Sequence, residues 1–203
     1  MCLAMFPEEQ DKVYDEICSV LHGNDAECEV TYENIQNMPY LEMAINESMR
    51  VLAPIPLVAR SCSADFHWGN GIIIPKGTQV AIDIFNMQRD EAIWGPLAKT
   101  FYPEHFLKEN VMQKHSYSFI PFTKGLRSCI GFRYAAIALK IMLAKILHKY
   151  RFSTSFRFED LQFVEDITLR FVELPKLVVH RRTPWGTQQS DSVVIADNIG
   201  INI

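Results

Sequence analysis

Long apolar runs, dense clusters of cationic residues and closely spaced cysteines are all missing from this sequence of 203 residues. The most apolar stretch, 135–147, is broken by Lys140 and Lys145, and neither its length nor its charge pattern suits a bilayer span. No leader or anchor is read at the start, because Pro7-Glu8-Glu9-Gln10 follows a short apolar opening. Lysine and arginine (20) are outnumbered by aspartate and glutamate (24), giving a net charge of -4. With no basic stripe, nothing points to a nucleic-acid partner. The five cysteines are an odd number without close pairs, which argues against a zinc ribbon or a disulfide framework. Cys2, Cys18, Cys28 and Cys62 read as small buried hydrophobes of a reducing compartment. No internal repeat is found.

What is present is 48% hydrophobic residues, sufficient for a sizeable core. Pro7, Glu8 and Glu9 open an amphipathic helix over 7–21 with Val13, Ile17, Val20 and Leu21 on its apolar stripe. A polar loop follows over 22–29. Thr31 then caps a short helix, with Val30 able to staple against Ile35. Pro39 starts a further helix that ends near Leu52, before Pro54 and Pro56. Strands are expected at 57–60, 66–68, 72–74 and 78–84, with Asn70-Gly71 as a hairpin turn. Residues 86–122 read as mostly irregular. The longest helix is expected over 131–150, with Ile137, Ile141, Ala144 and Leu147 inward and Lys140, His148 and Lys149 outward. A last hairpin is expected between 167–171 and 176–180. Residues 1–184 read as one domain and 185–203 as a weakly ordered tail.

The chemistry concentrates in Phe122-Thr123-Lys124-Gly125-Leu126-Arg127-Ser128-Cys129-Ile130-Gly131. Cys129 stands at the mouth of the longest helix, where unpaired amides and the helix dipole favour a thiolate and can hydrogen-bond its sulfur. Gly125 allows a left-handed turn. Gly131 leaves out a side chain where a flat macrocycle would pass. Arg127 suits a propionate, and Phe122 can pack beside the sulfur and exclude water. Upstream, Glu47-Ser48-Met49-Arg50 sets a carboxylate and a guanidinium three apart on one helix. Alone, that is an ordinary surface ion pair. Sharing a face with Met43, Ala44 and Val51, however, Glu47 is expected to be at least partly buried and to need partners.

These two motifs resemble those of the cytochrome P-450 family, the haem-thiolate monooxygenases. The resemblance covers about 3–182 and implies a mainly α fold with small β-sheets, of which this chain is the C-terminal, proximal, ligand-bearing part. It implies Cys129 as the axial ligand of a haem iron and Glu47-x-x-Arg50 as a structural network behind the haem. The third member of that network is arginine in relatives. Here it falls on His105, in Pro103-Glu104-His105-Phe106. Arg60 matches the strand arginine that contacts a haem propionate, the competing reading being an edge-strand arginine in solvent. Lys124, Arg133 and Lys140 are candidates for a positive surface receiving a flavoprotein. Asn86 to Asp90 and Trp94-Gly95-Pro96 resemble animal microsomal members, including the clan of fatty-acid ω-hydroxylases.

The implied activity inserts one oxygen atom from O2 into a small apolar substrate, with electrons from an NADPH-dependent flavoprotein reductase at the cytosolic face of the endoplasmic reticulum. The family's membrane anchor and its oxygen-activating helix with an acid–threonine pair find no counterpart in this sequence. Membrane association is therefore expected only through a segment outside it, no catalytic residue is assigned, and weak haem binding without turnover is expected of the chain alone. The competing reading is a truncated, non-catalytic haem-binding remnant or an incomplete gene product. A redox or zinc scaffold built on Cys129 lacks companion ligands.

Overall fold

The computed structural model describes residues 1–21, 29–165, 167–173, 175–182 and 193–195. Most of the polar loop expected at 22–29, Cys28 included, lies outside the described residues, and so does the tail expected at 185–203 apart from 193–195.

Helices dominate the first quarter. Helix α1 (Cys2–Met5) leads into α2 (Pro7–Val20), which starts on the expected proline and acidic pair. Helix α3 (Tyr32–Gln36) carries a reciprocal cap: the Thr31 hydroxyl accepts from the Asn34 amide while the Asn34 side chain accepts from the Thr31 amide. Val30 and Ile35 are both buried in the same cluster, as a hydrophobic staple requires. Helix α4 (Pro39–Val51) has no side-chain cap of its own. Glu16 of α2 supplies one, its two oxygens each accepting at 2.8 Å from the amides of Tyr40 and Leu41. This bond across the helix pair fixes α4, which carries Glu47 and Arg50.

Two antiparallel ribbons follow. Strand β1 (Leu57–Ser61) pairs with β4 (Gln79–Asp83), and β2 (Phe66–Gly69) with β3 (Ile72–Ile74). Asn70 and Gly71 turn the second ribbon with both φ angles positive, 48° and 77°, the conformation that favours Asn-Gly. Helix α5 (Ile84–Met87) starts on the last residue of the strand expected at 78–84, and the segment read as irregular holds short helices α6 (Glu91–Trp94) and α7 (Lys108–Met112), besides a 3₁₀ turn at Pro103–Phe106. Asp83 and Asp90 cap the first two of these.

Helix α8 (Phe132–Lys149) is the longest. Ala144 and Leu147 are buried as expected, but so are Lys140 and His148, which the sequence reading had pointed outward. Lys140 turns in towards α3, donating to the Ile35 carbonyl at 3.0 Å and to Glu42 at 2.6 Å. The late hairpin is a second correction. Strand β7 (Leu169–Phe171) pairs instead with β6 (Phe163–Glu165), where Phe163 packs on Phe171. Strand β8 (Val178–Arg181) joins β5 (Tyr150–Ser153) and β9 (Val193–Ile195). Pairing across a longer span wins because β5 leaves the end of α8 with open backbone groups, and Arg182 extends the ladder to the Lys149 carbonyl.

The main core lies between α1, α2, α3, α4 and α8, closed by Phe101 and Phe158. Gln10, fully buried, ties α2 to the Leu3 carbonyl and to both backbone groups of Phe152. A smaller core under the ribbons gathers Ala53, Ile84, Phe85 and Ile120.

Candidate functional site

Helix α4 points two faces at two different environments. Ile45, Ser48, Met49 and Leu52 face an apolar cavity of about 680 Å³. Glu47 and Arg50 point the other way and are completely buried. The opposite wall of the cavity is α8, through Ala135, Leu139 and Leu143 at successive i, i+4 positions. The loop before α8 supplies the remaining wall, with Phe122, Arg127 and Cys129, and Arg60 of β1 reaches the same cavity from a segment far away in sequence. Arg60, Phe122, Arg127 and Cys129 are thus brought together around one space.

The loop is ordered by its own backbone. The amide of Cys129 donates to the Phe122 carbonyl at 3.0 Å, that of Thr123 to Ile120 at 2.9 Å and that of Ser128 to Gly125 at 3.1 Å. Gly125 has φ 84°, the left-handed region that glycine enters without penalty. Thr123 has φ 58°, costly for a β-branched residue, and its hydroxyl donates to the Arg127 carbonyl at 3.3 Å. Gly131 is different. Its φ of -87° suits any residue, and a Cβ there would sit 3.9 Å from the Cys129 sulfur, an ordinary contact. The chain itself does not require glycine at 131.

The loop's side chains lie open. Leu126 and Ile130 are fully exposed, and Cys129 is exposed towards the cavity. Arg60 donates to the Arg127 carbonyl at 3.5 Å, which sets two guanidinium-bearing residues at one rim. Neither has a carboxylate partner among the described residues. Two arginines without a carboxylate partner among the described residues, beside an apolar space and a thiol, could receive a flat apolar body with anionic substituents. No cluster of three or more His, Cys, Asp or Glu able to hold a metal ion occurs among the described residues.

Behind α4, Arg50 grips Glu47 through two bonds of 2.7 Å. Its other donors reach the carbonyls of Gln88 and Ala98, both at 2.6 Å, and of Thr100 at 3.0 Å. Glu47 also accepts from the Tyr102 amide at 2.9 Å and meets His105 Nδ1 at 3.1 Å. Glu47, Arg50 and His105 therefore form one buried cluster. The sequence reading missed its other members. The Trp94 ring lies 4.8 Å from the Arg50 guanidinium and edge-on to His105. Gln88, fully buried, donates to Met49 and Arg50 carbonyls and accepts from the Ile120 amide, linking the cluster to the segment entering the cysteine loop. Arg89 donates to the Val51 carbonyl at 2.7 Å, and burial holds its guanidinium below its usual range. Lys124 and Arg133 remain exposed near the loop, whereas Lys140 does not join them.

Compared with known proteins, residues 1–176 match the family model described as Cytochrome P450. The chain belongs to the cytochrome P450 family. A probable cytochrome P450 313a4 of Drosophila melanogaster is 52% identical over 183 residues, covering 90% of this chain and 37% of that protein. A probable cytochrome P450 313b1 of the same organism is 43% identical over 185 residues, covering 90% and 36%. Cytochrome P450 4c3, again of Drosophila melanogaster, is 35% identical over 168 residues, covering 83% and 31%. The chain spans about a third of the length of the curated relatives it matches. The helices with small antiparallel sheets agree with a part of the P450 fold. Cytochromes P450 are haem-dependent monooxygenases as a family, and the thiol, paired arginines and apolar walls fit haem. Among the described residues no helix is long and apolar enough to cross a membrane.

Proposed function

We propose that this P450 chain binds haem in the 680 Å³ cavity, where Cys129 would supply the thiolate that holds its iron. The observation that carries this reading is the convergence of Cys129, Arg127 and Arg60 on one apolar space, the two arginines lacking carboxylate partners among the described residues. Haem, when bound, supplies the oxygen activation that defines the monooxygenases.

The chain's own residues orient and insulate it. Cys129 offers a sulfur whose position is set by its amide bond to Phe122 and by the left-handed turn at Gly125. Arg127 and Arg60 would bind the propionates, fixing the macrocycle's rotation as well as neutralising its charge. Phe122, Leu139 and Leu143 line the same space and would shield the group held there from water. Gly131 leaves free the space where a longer side chain would crowd the ligand. Glu47, Arg50 and His105 act as a positioning cluster: Gln88 and Ile120 transmit their order to the strand of chain entering the loop.

For the whole protein, the reading is insertion of one O2-derived oxygen atom into a small apolar substrate. Electrons come from an NADPH-dependent flavoprotein reductase at the cytosolic face of the endoplasmic reticulum. Family membership supports these three points, and the exposed Lys124 and Arg133 beside the loop suit an acidic donor surface.

The test is optical. Haem-loaded chain, reduced and exposed to carbon monoxide, is expected to give the strongly red-shifted Soret band of an axial thiolate, and Cys129→Ser is expected to abolish it. A spectrum of imidazole or water ligation in the unsubstituted chain refutes the proposal.

A further inference from the structure

A second, smaller cavity of about 320 Å³ lies between α3, α4 and α8, on the other side of the wall formed by Ile45, Met49, Pro121 and Phe122. The division is helical in origin. Ala135, Leu139 and Leu143 of α8 face the larger space, while Phe132, Ala136, Ile137 and Lys140 face the smaller one, rotated by one residue. Nothing in the haem reading uses this second space.

We propose that it binds a small neutral molecule with an apolar body and one hydrogen-bond acceptor, and that occupancy is felt at Cys129. The apolar body follows from the walls, where Phe119, Phe122 and Phe132 provide aromatic faces and Met49 an adaptable thioether. Size follows from the volume. It is roughly twice the ~150 Å³ cavity that admits benzene, and it sits at the small end of ligand sites. A bicyclic aromatic or a short alkyl chain fits.

The acceptor follows from Lys140. Its side chain is 11% exposed, yet its ammonium has three donors and uses two, on the Ile35 carbonyl and Glu42. Its third donor has no partner among the described residues, in a cavity it lines. Neutrality follows from charge: Glu42 lies 2.6 Å from that ammonium, so the pair already balances and an anionic head meets the carboxylate. Coupling to Cys129 follows from Phe122, which belongs to both cavities and whose carbonyl holds the Cys129 amide.

The probe is 2-naphthol, titrated calorimetrically into the full chain before and after haem loading, with naphthalene and 2-naphthoate as comparators. Saturable 1:1 binding is expected, about tenfold tighter for 2-naphthol than for either comparator. Ala136→Trp fills the smaller cavity from its exposed rim and is expected to weaken binding at least tenfold, whereas Leu143→Phe, which intrudes only on the larger cavity, leaves it intact. Lys140→Met is expected to reduce 2-naphthol to the level of naphthalene. The coupling is read without haem, as a change of twofold or more in the alkylation rate of Cys129 by iodoacetamide, measured on its peptide. If Leu143→Phe rather than Ala136→Trp removes binding, the site is wrong. An unchanged preference in Lys140→Met overturns the acceptor assignment, and an unchanged alkylation rate at saturation overturns the coupling. These readouts stand even if the carbon monoxide spectrum refutes thiolate ligation, so the two proposals fail separately.

Discussion

The two faces of α4 lead to regions built on opposite terms. On one, Glu47 and Arg50 are completely buried, and nearly every donor and acceptor finds a partner inside the chain. On the other, the cysteine loop has an ordered backbone, but Leu126 and Ile130 stand fully exposed and two arginines share a rim without a carboxylate partner among the described residues. The first region is specified by the chain alone. The second is shaped for something it does not itself contain. Mutations should therefore act on stability in the first region and on ligand binding in the second.

Glu47→Gln tests that contrast most severely. Glutamine keeps the shape and the Tyr102 bond but leaves the Arg50 guanidinium without a counter-charge in a dry site. Breaking one half of a buried pair costs about 3–5 kcal/mol. Urea unfolding followed by circular dichroism is expected to reveal a loss of that size, and a variant as stable as the parent that still holds haem normally refutes the structural role. Trp94→Leu comes next. The Arg50 guanidinium lies 4.8 Å and the Lys114 ammonium 5.1 Å from the ring centre, and the ring packs against Phe106 and Phe119. Leucine retains some of the apolar contact but neither cation–π interaction, so a loss of about 2–3 kcal/mol is expected in the same assay.

How far these regions could be read from the sequence differs for physical reasons. Pro7 with Glu8 and Glu9, Thr31 as a cap, and Pro39 marked α2, α3 and α4, because those signals act locally. The Glu47–Arg50 pair was visible as an i, i+3 spacing, and His105 through the family resemblance. Gln88 was not visible, since its role lies in bonds to backbone groups 38 and 32 residues away that leave no local pattern. Lys140 was misread because periodicity assumes that a charge seeks water, whereas here the end of α3 offers it a carbonyl and Glu42 a counter-charge. The late hairpin failed for a related reason: β5 competed for β8 from across the fold. Asp83 and Asp90 cap helices that were not expected: Asp83 lay in the strand expected at 78–84, and Asp90 in a stretch that aromatics and prolines made look irregular.

The loop's own demands are smaller. Gly125→Ala forces a Cβ into φ 84°, with open space around it but an unfavourable backbone, and is expected to cost about 1–2 kcal/mol locally. Its check is faster amide exchange at Ser128 and Cys129, with the rest of the chain unaffected. Glu104 offers a pH-dependent counterpart on the buried side. Burial raises its carboxyl, but hydrogen bonds from Lys12 and the Tyr40 hydroxyl outweigh this and hold it below its ordinary value. A depressed folded value contributes stability that is present above the unfolded value, near pH 4.3, and is lost as pH falls through the folded one. Glu104→Gln is thus expected to flatten the acid limb of stability below about pH 5, by about 0.5 kcal/mol for a partly exposed pair. An unchanged acid limb removes Glu104 from the account.

Cys129→Ser is expected to have the smallest effect on the chain alone and so to define the comparison most sharply. The sulfur is exposed, the amide bond to Phe122 belongs to the backbone, and a hydroxyl is a near-isostere. A change within about 0.5 kcal/mol is expected without haem. With haem present the variant loses the stabilisation that a group binding only the folded state confers, which grows with ligand concentration in the unsubstituted chain. Thermal midpoints of both proteins, measured across a haem titration, separate the two contributions. Parallel increases in the two would mean that the iron finds its ligand elsewhere. A large loss without haem would mean that residue 129 serves packing, and that the loop is less dependent on its guest than its open side chains indicate.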